Sequence, residues 1–237
     1  MSKTVLLATA AAFALVAGGA SAAQRPSIGV FGAKIAPVIH LGKSKAKALY
    51  NQNSNVTGGI DSQNFTSGSF SPTYNSSGAD DFVVPKKAEW TVTEVDASGV
   101  YFGGSGPATS ENVIFYTNSK NMPGKAVKGG SFSDLKGTDN SGSFSISLGK
   151  KGVTLKSGTY WVAVVANCSY VGGCGEWGWA ENTKIHGNPA MWENPGDGFG
   201  TCPTWGTFDQ CIETSGGNFI ANADFAFELL GKSKKSK

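Results

Sequence analysis

Thr159-Tyr160-Trp161-Val162-Ala163-Val164-Val165-Ala166 is the stretch whose reading decides the fold. It is almost continuously apolar, rich in β-branched and aromatic residues, and follows directly on the turn signal Ser157-Gly158. A strand buried on both faces reads this way, whereas a half-buried strand alternates apolar and polar residues. The segment is therefore expected to be a central strand, with neighbours on both edges and protein above and below it.

Working outward, the flanking segments read as strands with one buried face. Trp90-Thr91-Val92-Thr93-Glu94-Val95 alternates, and Ser143–Leu148 places Phe144, Ile146 and Leu148 on one side. Asp81–Val84 is expected to stop at Pro85, Val100–Phe102 at the turn Gly103-Gly104-Ser105-Gly106-Pro107, and Asn112–Thr117 before the breaker Met122-Pro123-Gly124. Val153–Leu155 follows Gly152. Glu176–Ala180 puts Trp177 and Trp179 on one face, and Ala223–Leu229 does the same with Phe225, Phe227 and Leu229. Near the start, one strand around Leu49–Gln52 is followed by a long Asn/Ser/Gly/Thr-rich stretch, read as loops, to Gly78. No stretch has helical periodicity. Eight to nine short strands separated by turns predict an all-β fold, a single jelly-roll-like β-sandwich with long disulfide-pinned loops. An immunoglobulin arrangement is disfavoured, because its Cys…Trp…Cys spacing is absent. The 33 glycines and the 16% charged content suit such a loop-rich β protein.

The first residues carry an export signal. Lys3 precedes an apolar run from Val5 to Val16, and small residues from Ala17 to Ala23 contain the cleavage pattern Ala20-Ser21-Ala22. The apolar run is too short to span a bilayer, which takes about 20 residues. The organisation expected is a signal peptide over residues 1–22, an N-terminal linker over 23–47, the β-sandwich over 48–230 and a basic disordered tail over 231–237. No membrane span is expected in the mature protein, and its location is expected to be secreted or extracellular, with periplasm or cell surface as variants. The formal charge of +3 selects no partner class, and no nucleic-acid partner is expected.

Cys168, Cys174, Cys202 and Cys211 all lie in the last third of the chain. Of the three pairings open to four cysteines, Cys168–Cys174 and Cys202–Cys211 are favoured because each closes a short glycine-containing loop. Spacings of six and nine residues do not match a C-x2–4-C zinc site, and oxidised pairs suit an exported chain.

Several phrases, in order, resemble a group of exported bacterial β-sandwich domains found in modular surface proteins. They are Leu49-Tyr50-Asn51, Gly78-Ala79-Asp80-Asp81-Phe82-Val83-Val84-Pro85 and Trp90-Thr91-Val92. Gly106–Ser110, Asn112–Tyr116, Met122-Pro123-Gly124 and Gly158–Val162 continue the series, as does the stretch from Trp177-Gly178-Trp179 to Trp192–Phe199. The resemblance covers residues 48 to 230 and implies fold and compartment; it supplies no catalytic residues. The ending GKSKKSK differs from the anchored members, so release from the cell is expected rather than attachment.

Catalytic signatures are sparse. The two histidines, His40 and His186, belong to no G-x-S-x-G or H-E-x-x-H motif, and no nucleophilic cysteine is left once both disulfides form. With 17 acidic residues, some pair is always close, so no acid–nucleophile pair stands out. The chain is therefore read as a non-enzyme without a cofactor. Asp80-Asp81 is the one pair that suggests structural calcium, a hard cation that takes oxygen ligands. Residues 168–211 concentrate Trp177, Trp179, Trp192 and Trp205 with the cysteines. Trp177 and Trp179 read as core. Trp192 and Trp205 lie in loops and are the candidates for an exposed ligand surface, with Glu193, Asn194 and Asp197 as its polar groups. The leading functional reading is a non-catalytic module binding extracellular glycan or cell-envelope material. A structural or matrix protein is second and a secreted hydrolase third.

Overall fold

The computed structural model describes residues 25–30, 35, 46–212 and 223–235. The expected signal peptide lies outside them, as do His40 and most of the expected linker. The described strands begin with β1 (Gly29–Val30), β2 (Lys47–Asn51), β3 (Val56–Asp61), β4 (Gln63–Phe65), β5 (Ser77–Ala97) and β6 (Gly99–Phe102). The middle of the chain forms β7 (Ser110–Ser119), β8 (Met122–Leu135), β9 (Thr138–Asn140), β10 (Ser143–Ser147) and β11 (Val153–Cys168). The last third adds β12 (Glu176–Asn182), β13 (Met191–Glu193), β14 (Gly206–Thr207), the single-turn helix α1 (Phe208–Cys211), β15 (Asp224–Phe225) and β16 (Phe227–Lys235).

The apolar run that opens the sequence reading forms the heart of β11, antiparallel to β5 on one edge and to β7 on the other. It belongs to an eleven-stranded sheet whose main order is β14-β13-β5-β11-β7-β8, with β10 and β16 also pairing with β5. A five-stranded sheet, β1-β3-β12-β15 with β6 on β12, makes the second layer of an all-β, sandwich-like fold. Successive side chains of β11 point to opposite faces. Val162, Val164 and Ala166 join the main core with Phe82 and Phe115 of the large sheet and Ile60, Trp177, Trp179 and Phe225 of the small one. Trp179 stacks on Phe225 with ring centroids 4.4 Å apart, and Phe144 on Trp177 at 4.8 Å, so the aromatic faces seen in the sequence meet in the middle. Trp161 and Ala163 point the other way and start a second, smaller cluster on the outside of the large sheet, with Ala79 and Met191.

The strands are more numerous and longer than the eight to nine short ones expected. β5 runs through Pro85 because residues 85–88 bulge out of the β11 ladder, where register passes from Val84↔Gly158 to Glu89↔Lys156. Proline costs a sheet little where no ladder hydrogen bond is asked of it. Met122-Pro123-Gly124 begins β8 rather than breaking the chain. The turn lies at Lys120 and Asn121, whose φ values of 54° and 61° form a two-residue hairpin loop. The stretch read as loop before Gly78 contains β3 and β4. β3 was hidden by Gly58-Gly59: a Cβ on Gly59 would sit 3.1 Å from the Gly178 carbonyl oxygen, so the close approach of β3 to β12 excludes the apolar residues that mark a strand.

Both assigned chain ends need correcting. Gly29–Val30 pairs with Ile60 and Gly59, and the Ser27 N–H donates to the Glu176 carboxylate at 2.6 Å, so the sandwich starts within the segment taken as linker. Gly231–Lys235 is not a free tail but continues β16 along β5. There Lys234 stands opposite Glu89 in the ladder and pairs with it at 2.8 Å.

Candidate functional site

The disulfides Cys168–Cys174 and Cys202–Cys211 tie down the two long loops at the end of β11 and around α1. The second bridge fixes the segment that crosses the outer face of the large sheet. Met191 of β13 stands opposite Ala79 of β5, which stands opposite Ala163 of β11, and Ala163 stands opposite Ile114 of β7. Two residues along β11, on the same face, Trp161 stands opposite Tyr116 across the ladder. Trp205, in the loop before β14, folds over this row and meets Tyr116 edge-to-face with centroids 5.9 Å apart. Both rings are half-exposed. Beneath them Trp161 is buried, its indole N–H donating to Asn118 at 2.9 Å.

Glu193 ends β13 opposite Ser77 and is half-buried. Burial pushes its carboxyl up to about 7, and its charge in turn raises the phenol of Tyr116, to about 12, after burial of the phenol itself. Ser77 also lines a cleft of about 410 Å³ that continues the face past Glu193, between the 71–77 loop and Pro195-Gly196. Asn64 and Asn75 line it, the Asn75 side-chain oxygen accepting from Phe65 N–H at 2.9 Å. From Asn64 an amide chain runs over the sheet. Asn64 and Asn112 both donate to the Asn167 side-chain oxygen, at 3.0 and 3.1 Å, and Asn167 donates to Ser110 at 2.8 Å. The outer face therefore offers aromatic rings, a carboxyl and a polar cleft side by side.

The candidates chosen from sequence separate on this geometry. Trp205 and Glu193 belong to the face. Trp192 does not: it is 0% exposed, points between the sheets, donates its indole N–H to the Asp61 carbonyl at 2.7 Å and packs on Phe199. It sits on a three-residue strand, so it points opposite to its neighbours Met191 and Glu193. Asn194 is also fully buried and works as a staple. Its side chain donates to the Thr73 and Asn75 carbonyls at 3.0 and 2.8 Å and accepts from Phe199 N–H at 3.0 Å. Asp197 is exposed at φ 55° in the adjacent turn, beside the cleft rather than among the rings. Tyr116 was missed in the sequence. Its strand was legible, and alternation from buried Val113 and Phe115 would have turned Tyr116 outward.

Asp80 and Asp81 do not converge on one point, because consecutive strand residues face opposite ways. Asp80 is fully buried and accepts from Gln52 Nε2 at 2.6 Å, Phe225 N–H at 2.7 Å and Asp81 N–H at 2.7 Å. Asp81 accepts from both the backbone and the side chain of Asn188, at 3.2 and 2.6 Å. N–H donors occupy the oxygens that calcium was expected to use, and no group of three or more metal-binding side chains occurs among the described residues. Asp224 lies near Asp80. Burial pushes its carboxyl up to about 7, opposed by an N–H bond from His186 and supported by the charge of Asp81. The His186 ring stands 3.5 Å from the same carboxyl, and among the described hydrogen bonds no hydroxyl engages that ring. A second buried acid pair, Asp61 and Glu176, lies below β1. Burial raises both, Glu176 to about 8, while the Ser27 N–H works against the rise in Glu176.

Fold and site together define a two-sheet, disulfide-bridged β module with an aromatic and polar outer face. No family model matches the chain, and no curated protein matches it. Among solved structures it is similar to the crystal structure of the cysteine protease and lectin-like domains of Cwp84, a surface layer associated protein of Clostridium difficile. That match has a TM-score of 0.48 and 12% identity, covering 82% of this chain and 37% of the other.

Proposed function

We propose that the chain is an exported, non-catalytic β-sandwich module that binds extracellular glycan through the outer face of its large sheet. The observation that carries this reading is the pair of half-exposed rings, Trp205 and Tyr116, standing beside a carboxyl and an amide-lined cleft. Sugars present apolar C–H faces that stack on such rings and hydroxyls that amides can read. The rings are held by a disulfide loop and by β7, a strand paired on both edges, so little ordering entropy opposes binding. Two disulfides support an oxidising compartment. The bulged, lysine-bearing edge strand β8 disfavours self-association by strand addition, which the matrix-protein reading would need.

The test is a glycan and polysaccharide binding screen on the mature protein, with Trp205→Ala and Tyr116→Ala alongside. Each ring contributes about 1 kcal/mol of stacking, so each substitution is expected to weaken binding roughly fivefold without loss of fold. Binding that survives in the folded double variant moves the site away from this face. Absence of any glycan binding removes the proposal.

A further inference from the structure

The Glu193 corner differs from an ordinary neutral sugar platform. Its carboxyl ends β13, directly opposite Ser77. The described ion pairs join Lys234 to Glu89 and His186 to Asp224, and none involves Glu193. Among the described residues no side chain or backbone N–H donates to it at hydrogen-bond distance, so within them it lacks the partner that a half-buried carboxylate normally has. Trp192 of β13 pairs with Gly206 of β14, which sets Trp205 across from Glu193, and Trp205 closes over Tyr116 at 5.9 Å. Two electron-rich rings and an unpaired carboxylate are the elements that hold a desolvated cation, since ring faces attract positive charge and the carboxylate supplies the counter-ion.

Resting on the glycan reading above, we propose that this corner recognises a protonated amino group on the sugar, so that the ligand is a glycan containing free amino sugars. The ammonium sits between the Glu193 carboxylate and the Tyr116 and Trp205 rings, while the neighbouring sugar hydroxyls reach the amides of the adjoining cleft. The whole chain carries a formal charge of +3, so diffuse electrostatics oppose a polycationic ligand, and any preference for one must arise locally. Among the described residues no cation pairs with Glu193, which keeps the corner open to one from outside.

The experiment is a tryptophan-fluorescence titration of the mature protein with glucosamine oligomers and with the same oligomers fully N-acetylated. It is run at low and at physiological salt. The expected result is at least tenfold tighter binding of the free-amine oligomer. Glu193→Gln is expected to abolish that preference at unchanged or slightly raised Tm, because it removes a carboxyl that burial disfavours. Asp197→Asn, which neutralises an exposed acid in the next turn, is expected to leave the preference intact. Equal binding of both oligomers overturns the amine assignment and leaves the glycan reading standing. A preference that disappears equally in Asp197→Asn overturns it too, since general charge then explains it. Failure of both oligomers to bind, with other glycans still bound in a Trp205-dependent way, again removes only the amine assignment. Failure of every glycan removes both.

Discussion

Trp192→Ala is expected to destabilise the sandwich by about 3–5 kcal/mol, the usual cost of deleting a large aromatic from a close-packed core. For a domain of this size that lowers Tm by roughly 6–20 °C in a thermal melt. The side chain is fully enclosed between the sheets and packs against Phe199 at 5.6 Å. Truncation therefore leaves a cavity, because neighbours on paired strands cannot collapse into it. It also strips the Asp61 carbonyl of the indole N–H that reaches it at 2.7 Å. Trp192→Phe separates the two contributions. It keeps most of the apolar volume and loses the hydrogen bond, and should cost about 1–3 kcal/mol. Trp205→Ala serves as the contrast, since a half-exposed ring on the outer face should shift Tm by only a few degrees while weakening the proposed glycan binding roughly fivefold. A Trp192→Ala protein that melts like the parent, or that folds normally and loses ligand, would place this ring on the surface and undo the site as described.

The same pair of tryptophans marks how far the sequence could be read. Long strands with a clean period were legible, because a two-residue repeat needs only a few residues to declare itself. Trp177 with Trp179 and Phe225 with Phe227 were assigned to one face and meet in the core. Met191-Trp192-Glu193 is too short to declare a period, and the surrounding Asn, Pro and Gly made it look like loop. Which of the three residues points inward is set by β5, to which they pair, and that pairing spans more than a hundred residues of chain. β3 was illegible for a different reason. Gly59 is selected by the approach of the β12 backbone and Gly58 by its φ of 53°, so they hide the strand they belong to. Tyr116 was within reach, since its outward orientation follows from buried Phe115 beside it. Trp205 and Glu193 were identified as residues but not as a unit, because only the fold of the Cys202–Cys211 loop brings them to Tyr116. The buried carboxyls escaped the sequence altogether. Nothing in Gly78-Ala79-Asp80-Asp81 distinguishes an acid that caps a turn from one that bonds Gln52 and Phe225 in the core.

Those carboxyls make the protein's stability depend on pH in an unusual direction. Most proteins lose stability on acidification because their carboxylates are better paired when folded. Here burial pushes Glu176 up to about 8 and Asp224 up to about 7, and it raises Asp61 and Asp80 well above the ordinary carboxylate range. Each acid has another close enough to repel it, Asp61 with Glu176 and Asp80 with Asp224. In the unfolded chain these groups titrate near 4. Between about pH 4 and 8 the folded state therefore binds more protons than the unfolded one, and linkage makes stability fall as pH rises. The contribution is complete below about pH 4 and is lost through pH 7 to 8. At 1.36 kcal/mol per pH unit for a single fully differential group, the loss from pH 5 to 8 should be at least about 2 kcal/mol, or roughly 4–8 °C in Tm. Glu176→Gln tests the assignment. The amide oxygen can still accept the Ser27 N–H that the carboxylate takes at 2.6 Å, so the β1 segment stays docked while the ionisation is removed. Its melting temperature should match the parent at pH 5, exceed it at pH 8, and fall less steeply in between. A parent protein whose Tm rises or stays level from pH 5 to 8 would mean that these acids are ionised and satisfied in the folded state, and that the two buried pairs do not control its stability.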